Sequence, residues 1–325
     1  MPRASGPLAE ALTGPAGRVV LLDGGLSNQL ADQGCDLSGD LWTGRVLAER
    51  PDQVAAAHTA YARAGAEVLI TASYQVGYAA LARRGHGPEH TEALLRRSVR
   101  LAAGAARAAD HEVWVAASVG PYGAVLADGS EYRGRYGLSV RELAEFHRPR
   151  IAALLAEGPD VLALETIPDA TEAEALLTVL AETGAPAWLS YTVAGGLTRA
   201  GGPLAEAFAL AAGSPQVIAT GVNCCDPAEV LPALEAAAAV TGKPLLAYPN
   251  DGSVWDAPTR TWRSPAAPAP WPTAAWHRAG ARLIGGCCRI GPGHIARLAT
   301  AARAMARPPG GGWPAPRKTG GAQRP

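Results

Sequence analysis

Lysine is nearly missing from this chain. Lys243 and Lys318 are the only two among 29 Lys and Arg residues, and 29 acidic residues bring the formal charge to zero. That balance excludes the basic footprint of a nucleic-acid binder, so no nucleic-acid partner is expected. Long apolar runs are missing too. None reaches the ~20 residues that a membrane-spanning helix needs, so no membrane partner is expected. The first 16 residues mix Pro, Gly and Glu without an apolar core region, so no secretory signal is expected and the expected location is the cytoplasm. Cysteine is scarce and odd in number: Cys35, Cys224, Cys225, Cys287 and Cys288. Two contiguous pairs and no secretion signal exclude a disulfide framework. Adjacent cysteines cannot easily bond to each other without distorting the peptide between them. Buried thiols, a metal site or catalysis are what remains.

What is present is one theme repeated. A short β-branched or apolar run leads into a polar or Gly-rich turn and then an Ala/Leu-rich helical pattern. The runs cover 19–22, 68–71, 113–118, 161–164, 187–192, 217–222, 245–248 and 282–284. The helical patterns cover 48–64, 89–109, 140–157, 171–183, 204–212, 227–241, 271–279 and 292–306. Strands this apolar, with no alternation, suit a parallel sheet covered on both faces. Length alone suggests two domains, but eight units close a single (β/α)8 barrel, a TIM barrel of the α/β class. An open doubly wound sheet is the competing architecture, and the Gly-x-Gly-x-x-Gly fingerprint it would carry after the first strand is absent. The barrel domain is expected over 16–307. The Pro/Gly-rich segments 1–15 and 308–325 read as disordered tails. Segments 120–137 and 251–270 read as long loops, the second rich in Pro.

Barrel active sites lie at the C-terminal ends of the strands. The unusual polar residues collect there: Asp23, then Ser73-Tyr74-Gln75, Glu165-Thr166, Thr192, Asn223-Cys224, Tyr248-Pro249-Asn250 and Cys287-Cys288. Cys224, Cys287 and Cys288 would be neighbours on the rim once the barrel closes, with Gly285-Gly286 permitting the bend before the pair. Three thiolates suit Zn²⁺ and leave one position for a substrate. Three buried apolar thiols are the other reading, and spacing alone leaves both open. Cys225 is expected to point elsewhere, and Cys35 to pack or sit in a loop.

Asp23 and Glu165 lack an evident basic partner, so a cationic group such as a substrate ammonium would suit them, although a helix cap is the bland alternative. Gly24 and Gly25 let the backbone approach a ligand closely. Ser73, Asn223 and Tyr248 join them as candidate substrate contacts. Trp42 and Tyr74 could pack, or present aromatic faces to a cation. The seven histidines fall mostly in helices or helix-flanking loops, and none has a case as ligand or base.

Several segments carry a resemblance. They are Leu22-Asp23-Gly24-Gly25-Leu26, Ile70-Thr71-Ala72-Ser73-Tyr74-Gln75, Ser118-Val119-Gly120-Pro121-Tyr122-Gly123-Ala124 and Asp128-Gly129-Ser130-Glu131-Tyr132-Arg133-Gly134. Glu165-Thr166, Gly221-Val222-Asn223-Cys224, Tyr248-Pro249-Asn250 and Gly285-Gly286-Cys287-Cys288-Arg289 complete them in unbroken order. The sequence resembles the homocysteine S-methyltransferases, especially the type that uses S-methylmethionine. The resemblance implies that Cys224, Cys287 and Cys288 hold zinc and that Asp23 and Glu165 bind the homocysteine amino group. It also implies methionine formation by methyl transfer from a sulfonium to the homocysteine thiolate. S-Adenosylmethionine as donor, selenocysteine as acceptor, and a non-catalytic zinc- or thiol-binding barrel remain as alternatives. Cys225 and the Pro-rich 256–270 loop depart from the family pattern. Nothing in the pattern sets an oligomeric state.

Overall fold

All eight apolar runs pair in parallel. The computed structural model describes residues 6–14, 18–39, 41–256, 261–263 and 271–305. The barrel strands are β1 (Val20–Leu21), β2 (Val68–Ile70), β3 (Trp114–Val119), β4 (Val161–Ile167), β5 (Ala187–Tyr191), β6 (Val217–Asn223), β7 (Leu245–Tyr248) and β8 (Ala281–Ile284). Each of β2 to β6 pairs with the next strand, β7 pairs with β8, and β8 pairs with β1. A bridge between Leu22 and Val68 then joins β1 to β2 and closes the ring. A closed parallel ring with its helices outside is the (β/α)8 barrel that the repeat predicts.

Strand parity divides the core in two. Trp114 and Ala116 of β3, Val161 and Ala163 of β4, Trp188 of β5 and Leu246 of β7 pack together inside the barrel. The alternate residues Val115, Ala117, Leu162, Leu164 and Leu189 pack outward against the helices. Counting by two from the inward set reaches Ser118, Glu165, Ser190 and Tyr248 at the strand ends. Successive strand side chains face opposite ways, so those four polar groups also point inward at the top of the barrel.

Four expectations change. Segment 1–15 is not wholly a tail, because Pro7–Thr13 forms a helix. Leu8 and Leu12 lie four apart on one face of it, are buried, and join the inner cluster beside Val20, Val68, Trp114 and Val161, the first residues of their strands. The helix therefore covers the barrel end opposite the site. Segment 120–137 is not a plain loop: it holds the helix Tyr122–Leu126 and a 3₁₀ turn, Ser130–Tyr132. The helical pattern at 48–64 is two helices, Trp42–Glu49 and Pro51–Arg63, parted at Arg50 because Pro51 cannot continue the first. Within 251–270, Val254–Asp256 and Thr261–Arg263 pair as an antiparallel hairpin. The tail 308–325 lies outside the described residues. No helix among the described residues is long and apolar enough to cross a membrane.

Arg150 fixes the loops at the top. It is fully buried in the helix Val140–Leu155 and donates to the carbonyls of Val76 (3.0 Å), Gly120 (2.9 Å) and Tyr74 (3.1 Å). One guanidinium thus ties the β2 and β3 loops together through three backbone acceptors. Burial lowers its pKa to about 10, so it stays charged at neutral pH.

Candidate metal and substrate site

Cys224 directly follows β6 in a left-handed backbone conformation, φ +50°. A non-glycine residue there is strained by about 1–2 kcal/mol, and hydrogen bonds hold it. The Cys224 amide donates to the Tyr248 carbonyl (3.2 Å), and its carbonyl accepts from Thr192 Oγ1 (3.1 Å). The turn aims Cys224 into the barrel mouth and leaves Cys225 fully buried in the outer core. Cys287 and Cys288 follow β8, where the Gly286 amide donates to the Asp23 carbonyl (3.0 Å) and the Cys287 amide to the Pro249 carbonyl (2.8 Å).

The three sulfurs lie within 4.8 Å of one another, and Cys224 Sγ and Cys288 Sγ are 3.7 Å apart. Tetrahedral ligation with Zn–S distances of ~2.3 Å separates sulfurs by roughly 3.8 Å, so the cluster fits such an ion. Cys287 and Cys288 donate toward Cys224, as does the Tyr132 hydroxyl at 3.2 Å, and together they lower the Cys224 pKa well below the usual thiol range. Hydrogen bonding to that thiolate first, then burial and the repulsion between adjacent thiolates, push the pKa values of Cys287 and Cys288 up. A cation at their centre is what would let all three ionise together. Cys225 is not in the cluster, and Cys35 is partly buried against the outer core, as the sequence suggests.

Beside the sulfurs lies a cavity of about 140 Å³ whose lining includes Trp42, Tyr74, Glu131, Tyr132, Glu165 and Tyr248. No Lys, Arg or His lines it among the described residues. Gly24 and Gly25 form part of its wall. A Cβ at Gly25 would sit 2.7 Å from the Cys287 carbonyl, so only glycine lets the β1 loop reach the cysteine loop this closely. Tyr61 Oη pins the approach by donating to the carbonyls of Gly25 (3.0 Å) and Ile290 (2.9 Å).

Both carboxylates, Asp23 and Glu165, are buried and have no cationic partner among the described residues. Glu165 accepts from Ser118 Oγ and, at 3.1 Å, from Tyr248 Oη. Burial raises its pKa to about 7, with a further push from Cys224, while those two hydrogen bonds pull it down. Asp23 Oδ2 accepts from the Ile70 amide (2.9 Å), but Oδ1 is buried with no partner. Burial first, and then repulsion from Glu165, hold Asp23 well above the usual carboxyl range. An arriving ammonium would relieve both groups.

Not every candidate from the sequence reaches the cavity wall. Trp42, Tyr74, Tyr248, Gly24, Gly25 and Glu165 do. Asp23 and Ser73 do not: Asp23 sits one residue before the wall residue Gly24 and accepts from the amide of the wall residue Ile70, and the Ser73 hydroxyl donates to the Ser118 carbonyl (2.7 Å) and shares a hydrogen bond with Thr71, which lines the wall in its place. Asn223 works from behind the wall. Its Oδ1 accepts from the Thr166 amide (2.7 Å) and its Nδ2 donates to Thr166 Oγ1 (2.8 Å), holding Thr166 at φ +60°. Glu131, Tyr132, Thr71, Gln75 and Thr166 line the cavity without having been singled out as contacts. The quoted Asp-Gly-Ser-Glu-Tyr-Arg-Gly segment contains the first two, and only the turn shows that they face the sulfurs. Trp42, Thr166 and Cys224 are three of the six non-glycine residues with positive φ among the described residues, so backbone strain concentrates at this cavity.

The comparisons with known proteins agree with this geometry. A family model described as homocysteine S-methyltransferase matches residues 20–302. Homocysteine S-methyltransferase of Escherichia coli strain K12 is 45% identical over 291 residues, covering 86% of this chain and 94% of that protein. Homocysteine S-methyltransferase YbgG of Bacillus subtilis is 42% identical over 305 residues, covering 88% and 95%. Among solved structures, the metallated form of the homocysteine methyltransferase MmuM from Escherichia coli superposes with a TM-score of 0.80 at 41% identity. It covers 90% of this chain and 99% of that one. With the barrel, the three-cysteine cluster and these matches in agreement, the chain belongs to the homocysteine S-methyltransferase family.

Proposed function

We propose that this protein transfers a methyl group from the sulfonium of S-methylmethionine to the thiol of homocysteine, so that acceptor and demethylated donor both become methionine. The observation that carries the reading is the pairing of a three-cysteine cluster with buried carboxylates in one cavity that has no basic lining residue. Zn²⁺ held by Cys224, Cys287 and Cys288 would keep the acceptor thiol, with an ordinary pKa of roughly 8.5, in its thiolate form at neutral pH.

The chain's own residues do the rest. Asp23 and Glu165 receive the homocysteine ammonium, Asp23 through the unpartnered Oδ1 and Glu165 through oxygens already set by Ser118 and Tyr248. Holding the amino end fixes where the sulfur lies. Trp42, Tyr74 and Tyr132 offer ring faces to a sulfonium cation. In the step itself the acceptor sulfur forms a bond to the methyl carbon as the donor's S–CH₃ bond breaks. The electron pair of that bond stays on the donor sulfur, which leaves as a neutral thioether, and the acceptor's thiol proton goes to solvent. A thiolate and a sulfonium neutralise each other along this path, so a small cavity walled by aromatic rings favours the transition state over separated ions in water. No general base is needed, in keeping with the absence of histidine from the lining.

The donor assignment rests on the segments 120–123 and 128–134, which resemble the type that uses S-methylmethionine. The test is a donor comparison. The zinc-loaded protein is given homocysteine with S-methylmethionine or with S-adenosylmethionine, and kcat/KM is measured for each. S-Methylmethionine is expected to be the better donor; a preference for S-adenosylmethionine would overturn the donor assignment.

A further inference from the structure

Neither the cysteine cluster nor the homocysteine end makes use of Glu131. The side chain lines the cavity, the residue is only 6% exposed, and Oε2 is buried without a hydrogen-bond partner among the described residues. The fold places it there deliberately. Glu131 sits in the 3₁₀ turn Ser130–Tyr132, which packs so tightly on the helix Tyr122–Leu126 that a Cβ on Gly123 would lie 2.4 Å from the Glu131 amide nitrogen. Any larger residue at 123 would push the turn outward. Leaving a buried carboxylate oxygen without a donor is costly, so such a group persists where a ligand completes it.

Glu131 reaches the cavity from the 3₁₀ turn beyond β3, beside Tyr132, whose hydroxyl lies 3.2 Å from Cys224 Sγ. Glu165 reaches it from β4 and is already held by Ser118 and Tyr248. The cavity beside the cysteine cluster therefore holds a further carboxylate that the homocysteine end does not use. Tyr74 and Tyr132 both feel the Glu131 charge, which puts it among the aromatic faces available to a sulfonium. Homocysteine brings one ammonium, and Asp23 with Glu165 already receives it. A further unpaired carboxylate in the same cavity calls for a second ammonium, and only the methyl donor can bring one.

We propose that Glu131 is the donor-side specificity residue: its carboxylate accepts a hydrogen bond from the α-ammonium of an amino-acid sulfonium and selects donors that carry it. This rests on the methyl-transfer reading above. A donor with the same sulfonium and chain but no ammonium would leave Glu131 buried and unpaired, which is the stronger form of discrimination.

The test compares S-methylmethionine with its deaminated analogue, 4-(dimethylsulfonio)butanoate, on the wild type and on Glu131→Gln. Both proteins receive saturating homocysteine, and binding of each donor is also measured by calorimetry in its absence. The wild type is expected to prefer S-methylmethionine by roughly 100-fold in kcat/KM. Glu131→Gln should raise KM and Kd for S-methylmethionine by roughly 10- to 100-fold. The KM for homocysteine and the kinetics on the analogue should move by less than about two-fold, so the preference collapses. Equal loss on both donors, or a wild type indifferent to the ammonium, would overturn the assignment. If Glu131→Gln does not fold, Glu131→Asp reads the same ratio: a reduced preference supports the assignment, and an unchanged one overturns it. A wild type that makes no methionine from S-methylmethionine would instead refute the methyl-transfer reading itself.

Discussion

Tyr248 Oη donates to Glu165 Oε2 over 3.1 Å, and that hydroxyl in turn receives Trp188 Nε1 at 3.0 Å. Its hydrogen bond favours the ionised carboxylate against a burial that raises the Glu165 pKa to about 7. The raised value means that the proton leaves only as pH rises through about 7. Ammonium binding needs the carboxylate, so it is present above that pH and lost below it. The KM for homocysteine should therefore fall as pH is raised from about 6 to about 8. Tyr248→Phe should shift the inflection upward, and Glu165→Gln should abolish it while raising KM by roughly 10-fold or more. A pH-independent KM in the wild type would contradict the role given to Glu165.

Metal content separates the cysteines. Cys224→Ser, Cys287→Ser and Cys288→Ser should each lose most of the zinc found by elemental analysis after dialysis, because a hydroxyl is a poor ligand for this ion. Cys225→Ser and Cys35→Ser should keep one zinc per chain, since both thiols pack against the outer core. Retention of zinc in any of the first three would break the ligand set.

Arg150→Met should destabilise the fold by about 3 kcal/mol, because it strips three buried carbonyls of their donor. For a chain of this size that is a fall in Tm of roughly 4–5 °C by calorimetry. Arg150→Lys should recover little, as one ammonium cannot span three acceptors on two loops. An unchanged Tm would mean that the loops hold their place without it.

The helix Pro7–Thr13 makes a separate stability prediction. Leu12→Ala should cost about 2–5 kcal/mol by removing a buried side chain from the inner cluster. Denaturant unfolding would show it as a lower midpoint with unchanged slope. No change in midpoint would mean that the helix does not seal the barrel end.

The strands were legible because parallel strands buried on both faces leave continuous apolar runs, and the eight runs found in the sequence are the eight barrel strands. The strand-end rule brought Cys224, Cys287 and Cys288 together before any geometry was known. Ser73 shows where such reading stops: a position past the strand end has no fixed parity, and its hydroxyl turns to the Ser118 carbonyl while Thr71 meets the cavity. Glu131 and Tyr132 were out of reach for a different reason. They ride on a short turn far from any strand end, and its docking depends on the contact at Gly123. The helix Pro7–Thr13 was hidden by the Pro and Gly around it, although Leu8 and Leu12 carried its apolar stripe.

The most direct measurement gives the reduced, zinc-loaded protein homocysteine labelled with carbon-13 in its chain and S-methylmethionine deuterated in its sulfonium methyl groups, and follows methionine carrying both labels, which only the homocysteine can form, by mass spectrometry. Doubly labelled methionine from the wild type, and none from Cys287→Ser, is the expected result. Zinc-loaded wild type that leaves homocysteine unmethylated would contradict methyl transfer from this donor at the cysteine cluster.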